Sequence, residues 1–512
     1  MEHSNNAVTT FVDLHLQQGR AEKPAFRMAG GGPELTYGAL AERSEQVAGA
    51  LTRAGVRREE RAILLVLDQL EFPPIFWGAI RAGVIPVPLN TLLATPVYDA
   101  ILRDSRATTL FVSEALWPVV EPAARAAPEL RHIIMVGDTE PDGTQMFDRF
   151  LQDAPRGETV QASADDTAFW LYSSGSTGQP KGVRHVHASL KATADTYGAQ
   201  VLGIREDDVV FSAAKFFFAY GLGNAMTFPM SVGATTILYP ARPTPEAVTD
   251  ILAQDRPTVF YGVPTLYAAL LAHLEQVGRP ETPLRRCISA GEALPGDVAA
   301  SWHRLWGVDI LDGVGSTEML HIFLSNAPDD VVYGTSGRAV PGYDLRLVDE
   351  TGADTKPGEI GELLVRGASA SDGYWNQRTK SRATFEGEWT RTGDKYEQTD
   401  DGRYIYCGRT DDMFKVSGIW VSPFEVEQAL VSHPAVLEAA IVAARDDQGL
   451  EKPKAFVVLK QQTDTDALAT ELKDKVKAEI GMWKYPRWID FVDDLPKTAT
   501  GKIQRFKLRE EA

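Results

Sequence analysis

RAILLVLDQLEFPPIFWGAIRAGVIPVPL, from Arg61 to Leu89, decides the first expectation of fold. Two short runs rich in branched aliphatic residues, RAILLVL and GVIPVPL, flank a segment of helical length, and strand, helix, strand in that order is the parallel α/β unit. Working outward, TLFVS at Thr109 to Ser113 and HIIMVG at His132 to Gly137 continue the alternation. A second series, TTILYP, PEAVTDILAQ, TVFYGVP and RCISAGEALP, repeats it between Thr235 and Pro295. The fold class expected is therefore α/β, with two stacked αβ subdomains. Short strands punctuated by Gly and Asp between Val331 and Tyr406, as in YDLRLVDETGADTKPGEIGELLVRG, add a small β subdomain. After Arg409 the composition resets. SPFEVEQAL opens a helix with Ser422 as N-cap, Pro423 at N1 and Glu425 at N3. KAFVVL reads as a strand, and Leu468, Leu472, Val476 and Ile480, spaced four apart, read as an amphipathic helix. The division expected is 1–409 for a large N-terminal domain and 410–512 for a small α+β domain.

Length agrees, because 512 residues exceed the roughly 250 to 300 that one core supports. With 44% hydrophobic and 24% charged residues, the composition is that of ordinary globular domains. Fifty-two Lys and Arg against 70 Asp and Glu leave a net charge of −18, which disfavours nucleic acid and acidic membranes as partners. An anionic ligand must then meet a local cluster of positive groups. Cys287 and Cys407 are the two cysteines, too few for a disulfide framework or a zinc site, and a reducing, cytoplasmic setting is expected. MEHSNNAVTTF lacks the apolar core of a signal peptide and REEA lacks a prenylation motif. Phe216 to Ala241 is uncharged and long enough to cross a bilayer, but Gly221, Gly223, Pro229, Gly233 and Pro240 interrupt it, so it is expected to be core.

The strongest chemical signal is YSSGSTGQPKGV, Tyr172 to Val183. Small hydroxyl residues and glycines beside one lysine can turn backbone N–H groups inward around phosphate oxygens. Pro180 before Lys181 and Gly182 after it exclude the GxxxxGK[ST] loop of kinase-type or Ras-type sites. A flexible linker would explain this stretch taken alone.

The rest of the chain decides otherwise. YSSGSTGQPKGV, GSTE at Gly315 to Glu318, TGD at Thr392 to Asp394, GRTDDMFKVSG from Gly408 and PKTATGK ending at Lys502 together resemble the adenylate-forming acyl-CoA ligases, in that family's order and over nearly the whole chain. FSAAKFFFAYGLGNAM and DGVGSTEMLHIFLSN are similar to the benzoate and hydroxybenzoate CoA ligase branch. The resemblance implies two half-reactions using ATP, Mg2+ and coenzyme A: a carboxylate attacks the α-phosphate to give acyl-AMP and pyrophosphate, and the CoA thiol then displaces AMP. It implies a small domain that rotates between the two halves about a hinge at Asp411.

By the same resemblance, Ser173, Ser174, Gly175, Ser176, Thr177 and Gly178 embrace the phosphates and Lys181 supports their loop. Glu318 and Thr177 hold magnesium, Thr317 lies at the α-phosphate, and Ser316 binds ATP. Ser289, Ala290, Gly291, Glu292, Asp312 and Gly313 receive adenine, although Val314 stands where many relatives carry a stacking aromatic. Asp394 accepts both ribose hydroxyls with Arg409 assisting, as a carboxylate suits a cis-diol. Lys502 acts at the α-phosphate and the substrate carboxylate in the first half. Lys415, Ser417 and Gly418 meet the pantetheine arm in the second. Each has a plainer reading by itself: Asp394 as a turn residue, Lys502 as a tail lysine, 410–418 as an interdomain linker.

KFFFAYGLG, Lys215 to Gly223, offers aromatics and no acid to pair with a substrate ammonium, which argues against amino-acid activation. Luciferase-like oxidation uses the same adenylate, but Lys415 to Gly418 suits thioester formation. Lys502, Glu318, Asp394 and Arg409 together argue against a non-catalytic binding module. A flat aromatic acid is expected in a slot lined by Ala219, Tyr220, Gly221, Gly315, His321 and Ile322, with Ala and Gly leaving open space beside Tyr220. Benzoate is favoured because Leu320 offers no partner to a para-hydroxyl. 4-Hydroxybenzoate, another substituted benzoate and a medium-chain acid are the alternatives. The PKxxxGK setting also resembles acylation sites, making a lysine acetyltransferase a candidate partner at Lys502. A monomer and a homodimer both fit the sequence.

Overall fold

A computed structural model describes residues 5–174, 180–416, 419–447, 450–461, 464–497 and 503–510. The chain forms two compact units, 1–345 with 365–391 and 346–364 with 392–512. The division expected at 409/410 falls inside the second unit. That unit also takes in the antiparallel pairing of Asp394–Gln398 with Tyr404–Arg409, and the Thr392 hydroxyl donates to the Leu363 carbonyl at 2.9 Å.

The first unit holds the expected α/β layers. Arg61–Leu65 lies between Ile85–Pro88 and Thr109–Ser113 in a five-stranded parallel sheet completed by His132–Val136 and Gln145–Met146. Ala62, Ile63, Leu64 and Leu65 are all fully buried. A parallel strand covered on both faces reads as a continuous apolar run rather than an alternating one, which is why this stretch was so legible.

The second series builds a nine-stranded sheet whose central strands, Pro24–Met28, Thr235–Leu238, Val209–Ser212, Val259–Gly262, Arg286–Ala290 and Ile310–Gly315, are parallel. The chain leaves Val209–Ser212 for a neighbour on one side, Thr235–Leu238, and later returns to the other side with Val259–Gly262. Reversal of strand order opens a crevice beyond the carboxyl ends of such a sheet. The segment suspected of crossing a membrane follows that strand as the short helical turns Ala219–Leu222, Gly223–Thr227 and Phe228–Val232 and the strand Thr235–Leu238. No helix among the described residues is long and apolar enough to cross a membrane.

A third, antiparallel sheet of Gly373–Tyr374, Pro180–Val186 and Thr167–Ser174 carries the phosphate-loop candidates. In the second unit, Val436–Arg445, Glu451–Leu459 and Trp488–Phe491 form a sheet that packs with the helices Pro423–Val431 and Thr465–Ile480. Ser422 caps the first helix, accepting from the Glu425 N–H at 3.1 Å, and Leu468, Leu472 and Val476 are buried as their spacing implies.

Burial of a histidine makes the first unit acid-sensitive. His187 Nδ1 accepts the Ala7 N–H at 3.1 Å, so the folded ring is neutral, and burial pushes its pKa down from 6.5 to about 4. Below 6.5 the unfolded chain binds a proton that the folded chain refuses, so this contribution to stability is lost as pH falls toward 4. Its limiting slope is about 1.4 kcal/mol per pH unit. Thermal unfolding at pH 7, 6 and 5 should show His187→Asn, whose Oδ1 can replace Nδ1, with the shallower pH dependence; equal slopes would remove the assignment.

Candidate active site

The site is built on the strand Pro180–Val186. Alternation along a strand puts Lys181, Val183 and His185 on one face. Lys181 donates to Glu318 Oε1 at 2.8 Å and to the Tyr374 hydroxyl at 2.9 Å, with its ammonium 4.3 Å from the centre of the Tyr374 ring. Tyr374 stands opposite Val183 in the neighbouring strand, so Lys181 is its diagonal neighbour, within reach of a long side chain. Tyr374 also donates to Glu318 Oε1 at 2.8 Å. Four residues beyond Lys181, His185 Nε2 lies 2.8 Å from the Thr317 carbonyl. A carbonyl only accepts, so Nε2 carries the proton, and burial lowers the His185 pKa to about 4.

One strand face therefore holds the loop Ser316–His321 from below. Other groups hold it from the side: the Ser371 N–H donates to the Glu318 carbonyl at 2.8 Å and the Ser369 hydroxyl to the Met319 carbonyl at 2.7 Å. Ser316 Oγ accepts the Met319 N–H at 3.1 Å. The loop needs this support, since Leu320 is buried with φ +65°, a conformation costly for a side chain bearing Cβ. Burial would raise the Glu318 pKa, but the charge and hydrogen bonds of Lys181, with the Tyr374 hydroxyl, bring it below the usual carboxylate range.

Among the described residues no three His, Cys, Asp or Glu side chains converge as a metal cage. A single half-buried carboxylate beside the candidate phosphate segment nevertheless fits magnesium, which takes most of its six oxygens from phosphates and water. Glu318 would be its carboxylate ligand. Thr177, the second candidate, lies outside the described residues together with Gly175, Ser176 and Gly178. Ser173 is in register with Lys181, and Ser174 with Pro180, on the two flanking strands.

The adenine candidates meet on neighbouring parallel strands. Ser289 is in register with Asp312, and Ala290 with Gly313. Burial pushes the Asp312 carboxyl well above its ordinary value, and its Oδ1 has no hydrogen-bond partner among the described residues. Gly291 follows with φ +97° and Glu292 is exposed, while Val314 is half-buried.

The expected slot is corrected in one respect. Its glycines are filled by neighbours rather than open: a Cβ at Gly221 would fall 2.0 Å from the Lys215 carbonyl oxygen, and one at Gly315 would fall 2.5 Å from that of His321. At Gly223 it would fall 2.3 Å from His321 Cδ2. The glycines thus serve close packing of His321 against the turn after Ala219. His321 is buried, with Nε2 at 3.0 Å from Asn224 Oδ1 and 3.2 Å from the Tyr220 carbonyl. Its ring lies among Tyr197, Tyr220 and Phe228, at centroid distances of 5.5, 5.6 and 4.5 Å. Burial lowers its pKa to about 3, so it is neutral and cannot serve as a cation. The Tyr220 hydroxyl reaches the carbonyls of Gly262 and Ile288, at 3.2 and 3.3 Å, which fixes this wall on the large sheet. Ile322 is buried beside Gly313.

In the second unit, Asp394 and Arg409 are in register across their strand pair and bonded at 2.9 Å, and Arg409 also donates to the Thr392 carbonyl at 3.1 Å. Lys415 bonds Glu350 at 2.8 Å and lies 4.5 Å over the Trp420 ring. The Asp411 carbonyl accepts from Arg509 at 2.8 Å. Ser417, Gly418 and Lys502 lie outside the described residues. Sequence reasoning missed Tyr374, His185, Asn224, Ser369 and Ser371. For His185 a signal existed, four residues from Lys181 on the same strand face; Tyr374 sits in a short GYW segment with no periodicity to mark it.

The AMP-binding enzyme family matches residues 15–375, and the AMP-binding enzyme C-terminal domain matches 425–502. The chain belongs to the AMP-binding enzyme family. A 4-hydroxybenzoate–CoA/benzoate–CoA ligase of Rhodopseudomonas palustris is 54% identical over 99% of this chain and 94% of its own length. A benzoate–CoA ligase of Thauera aromatica is 52% identical over 98% and 95%. Among solved structures, a benzoate CoA ligase from Burkholderia xenovorans LB400 superimposes with a TM-score of 0.89 at 49% identity, covering 99% of this chain and 100% of that one.

Gly223 offers a direct test of the aryl wall. Gly223→Ala should displace His321 and abolish binding of an aromatic acid while leaving ATP binding, measured by calorimetry, within about twofold; the overpacking itself should cost about 1 to 3 kcal/mol. Unaltered affinity for the acid would separate His321 from the substrate.

Proposed function

We propose that this protein joins an aromatic carboxylate, benzoate first, to coenzyme A through an acyl adenylate. The observation that carries the reading is the position of Glu318, held by Lys181 and Tyr374, three residues before a neutral His321 packed among aromatic rings. Charge handling and an apolar, ring-shaped wall meet on one loop. The full-length likeness to ligases named for benzoate supports it.

In the first half-reaction a carboxylate oxygen of the acid attacks the α-phosphorus of ATP, and the bond to the pyrophosphate oxygen breaks. Lys181 and the phosphate turn would receive the β and γ oxygens, and Lys502 the charge developing on the α-phosphoryl group. Magnesium, when bound, would neutralise phosphate charge, with Glu318 and Thr177 as its protein ligands. Asp394 and Arg409 would fix the ribose. In the second half-reaction the CoA sulfur attacks the acyl carbon, its proton passes to solvent, and the bond to AMP breaks. Lys415, Ser417 and Gly418 would line the approach of the thiol after rotation at Asp411. A compact unit is defined by its internal packing and a hinge by what moves, so a pivot at 411 is compatible with a second unit that begins earlier.

A panel of benzoate, 4-hydroxybenzoate, anthranilate and hexanoate, assayed for pyrophosphate release and CoA thioester, tests the reading. Benzoate should give the highest kcat/KM and hexanoate the lowest. 4-Hydroxybenzoate is the second reading, favoured by the buried Tyr261 hydroxyl, which has no partner among the described residues and lies edge-on to Tyr220. A higher kcat/KM for 4-hydroxybenzoate would select it.

Lys502→Ala should slow adenylation by about 10² to 10³ while sparing thioester formation from supplied acyl-AMP, because the lysine acts on charge that develops only in the first half. Equal losses in both halves would defeat that role. Acetylation of Lys502 would remove the same charge and should reproduce the pattern. Asp411→Pro fixes φ near −65° and should leave one half-reaction running while arresting the other; normal rates in both would place the pivot elsewhere.

A further inference from the structure

Three polar groups meet around one oxygen at the base of the phosphate turn, and chemistry fixes the direction of every hydrogen bond between them. A lysine ammonium only donates and an ionised carboxylate only accepts. Lys181 therefore donates to both Glu318 Oε1, at 2.8 Å, and the Tyr374 oxygen, at 2.9 Å. Tyr374 has one proton, and it goes to Glu318 Oε1 at 2.8 Å rather than to the Thr384 hydroxyl, which lies farther away at 3.4 Å. Both donors thus fall on the same oxygen of the carboxylate.

Tyr374 is itself held firmly. It is 5% exposed, its backbone pairs with Val183, its N–H donates to Ser381 Oγ at 3.0 Å, and its ring packs against Phe385 with centroids 5.3 Å apart. Its hydroxyl is fixed by strand pairing and ring packing, whereas Lys181 hangs on a flexible stem that can turn toward phosphate.

We propose that Tyr374 is a positioning residue which holds Glu318 Oε1, and so keeps oriented the carboxylate that would ligate a nucleotide-bound cation, when Lys181 turns to the phosphates. The inference rests on the reading of Glu318 as the magnesium carboxylate. It gives the tyrosine a task that neither strand packing nor the cation–ring contact requires, because both survive removal of the hydroxyl alone.

Tyr374→Phe separates the possibilities. ATP affinity is measured by calorimetry with excess Mg2+ and again with EDTA in its place, for the wild type, Tyr374→Phe, Glu318→Gln and the double variant. Loss of one hydrogen bond to a charged group should weaken Mg2+-dependent ATP binding by roughly 10-fold or more and leave binding in EDTA within about twofold. In the Glu318→Gln background the tyrosine change should add little further loss. Thioester formation from supplied benzoyl-AMP should proceed at the wild-type rate. Equal weakening with and without Mg2+, or full additivity of the two substitutions, would overturn the role of Tyr374. Wild-type ATP affinity that ignores Mg2+ would instead overturn the reading of Glu318 beneath it.

Discussion

A carboxylate withdrawn from water and answered by one lysine and one tyrosine is the interaction on which the site depends. The chain carries a net charge of −18, so anionic phosphates are repelled at long range and must be received by positive groups at short range. Glu318 keeps Lys181 placed, and Lys181 helps keep Glu318 ionised. The strained backbone at Leu320 is tolerable because His185, Ser369 and Ser371 hold the carbonyls of Thr317, Met319 and Glu318. A tightly held loop needs little reorganisation when charge develops beside it.

The small three-stranded sheet organises this arrangement, and the large parallel sheets position it. Period-two alternation sends Lys181 and His185 to the same loop from one strand, while a two-residue strand, Gly373–Tyr374, places a hydroxyl diagonally across. The nine-stranded sheet supplies the opposite requirement. The Tyr220 hydroxyl is fixed on the carbonyls of Gly262, at a strand end, and Ile288, within the neighbouring strand. Polar backbone thus anchors an otherwise aromatic wall.

Much of this was legible in the sequence, for identifiable reasons. Parallel strands covered on both faces leave apolar runs such as RAILLVL, and a Ser-Pro-x-Glu start shows its own cap at Ser422. Motifs read along the chain gave Lys181, Glu318, Asp394 and Arg409. Tyr374 and Asn224 were illegible because their roles arise from contacts across 193 and 97 residues of separation, where no local period leaves a trace. The glycines before His321 were misread as space, since a missing side chain in a sequence does not say whether a ligand, a backbone or an imidazole takes its place. The compact second unit begins earlier than the shift in composition at 409/410, because pairing of Asp394–Gln398 with Tyr404–Arg409 is a tertiary fact that composition does not record.

The second unit shows the same economy of placement around its own basic segment. Lys497 is paired with Ile503 across a short bridge, the Gln504 N–H donates to the Pro496 carbonyl at 2.7 Å, and Lys497 bonds Glu438. Arg505 then grips the buried Glu427 through both carboxylate oxygens, and Glu427 also accepts the Ile441 N–H at 2.8 Å. Residues 496–497 and 503–505 are therefore held to one another and to the buried Glu427. Asp412, one residue beyond the expected hinge, pairs with both Arg505 and Arg509 at 3.5 and 3.2 Å. The same two arginines thus tie Asp412 to residues 503–509 through ion pairs inside a single unit, although a helix-and-sheet core lies between them in sequence.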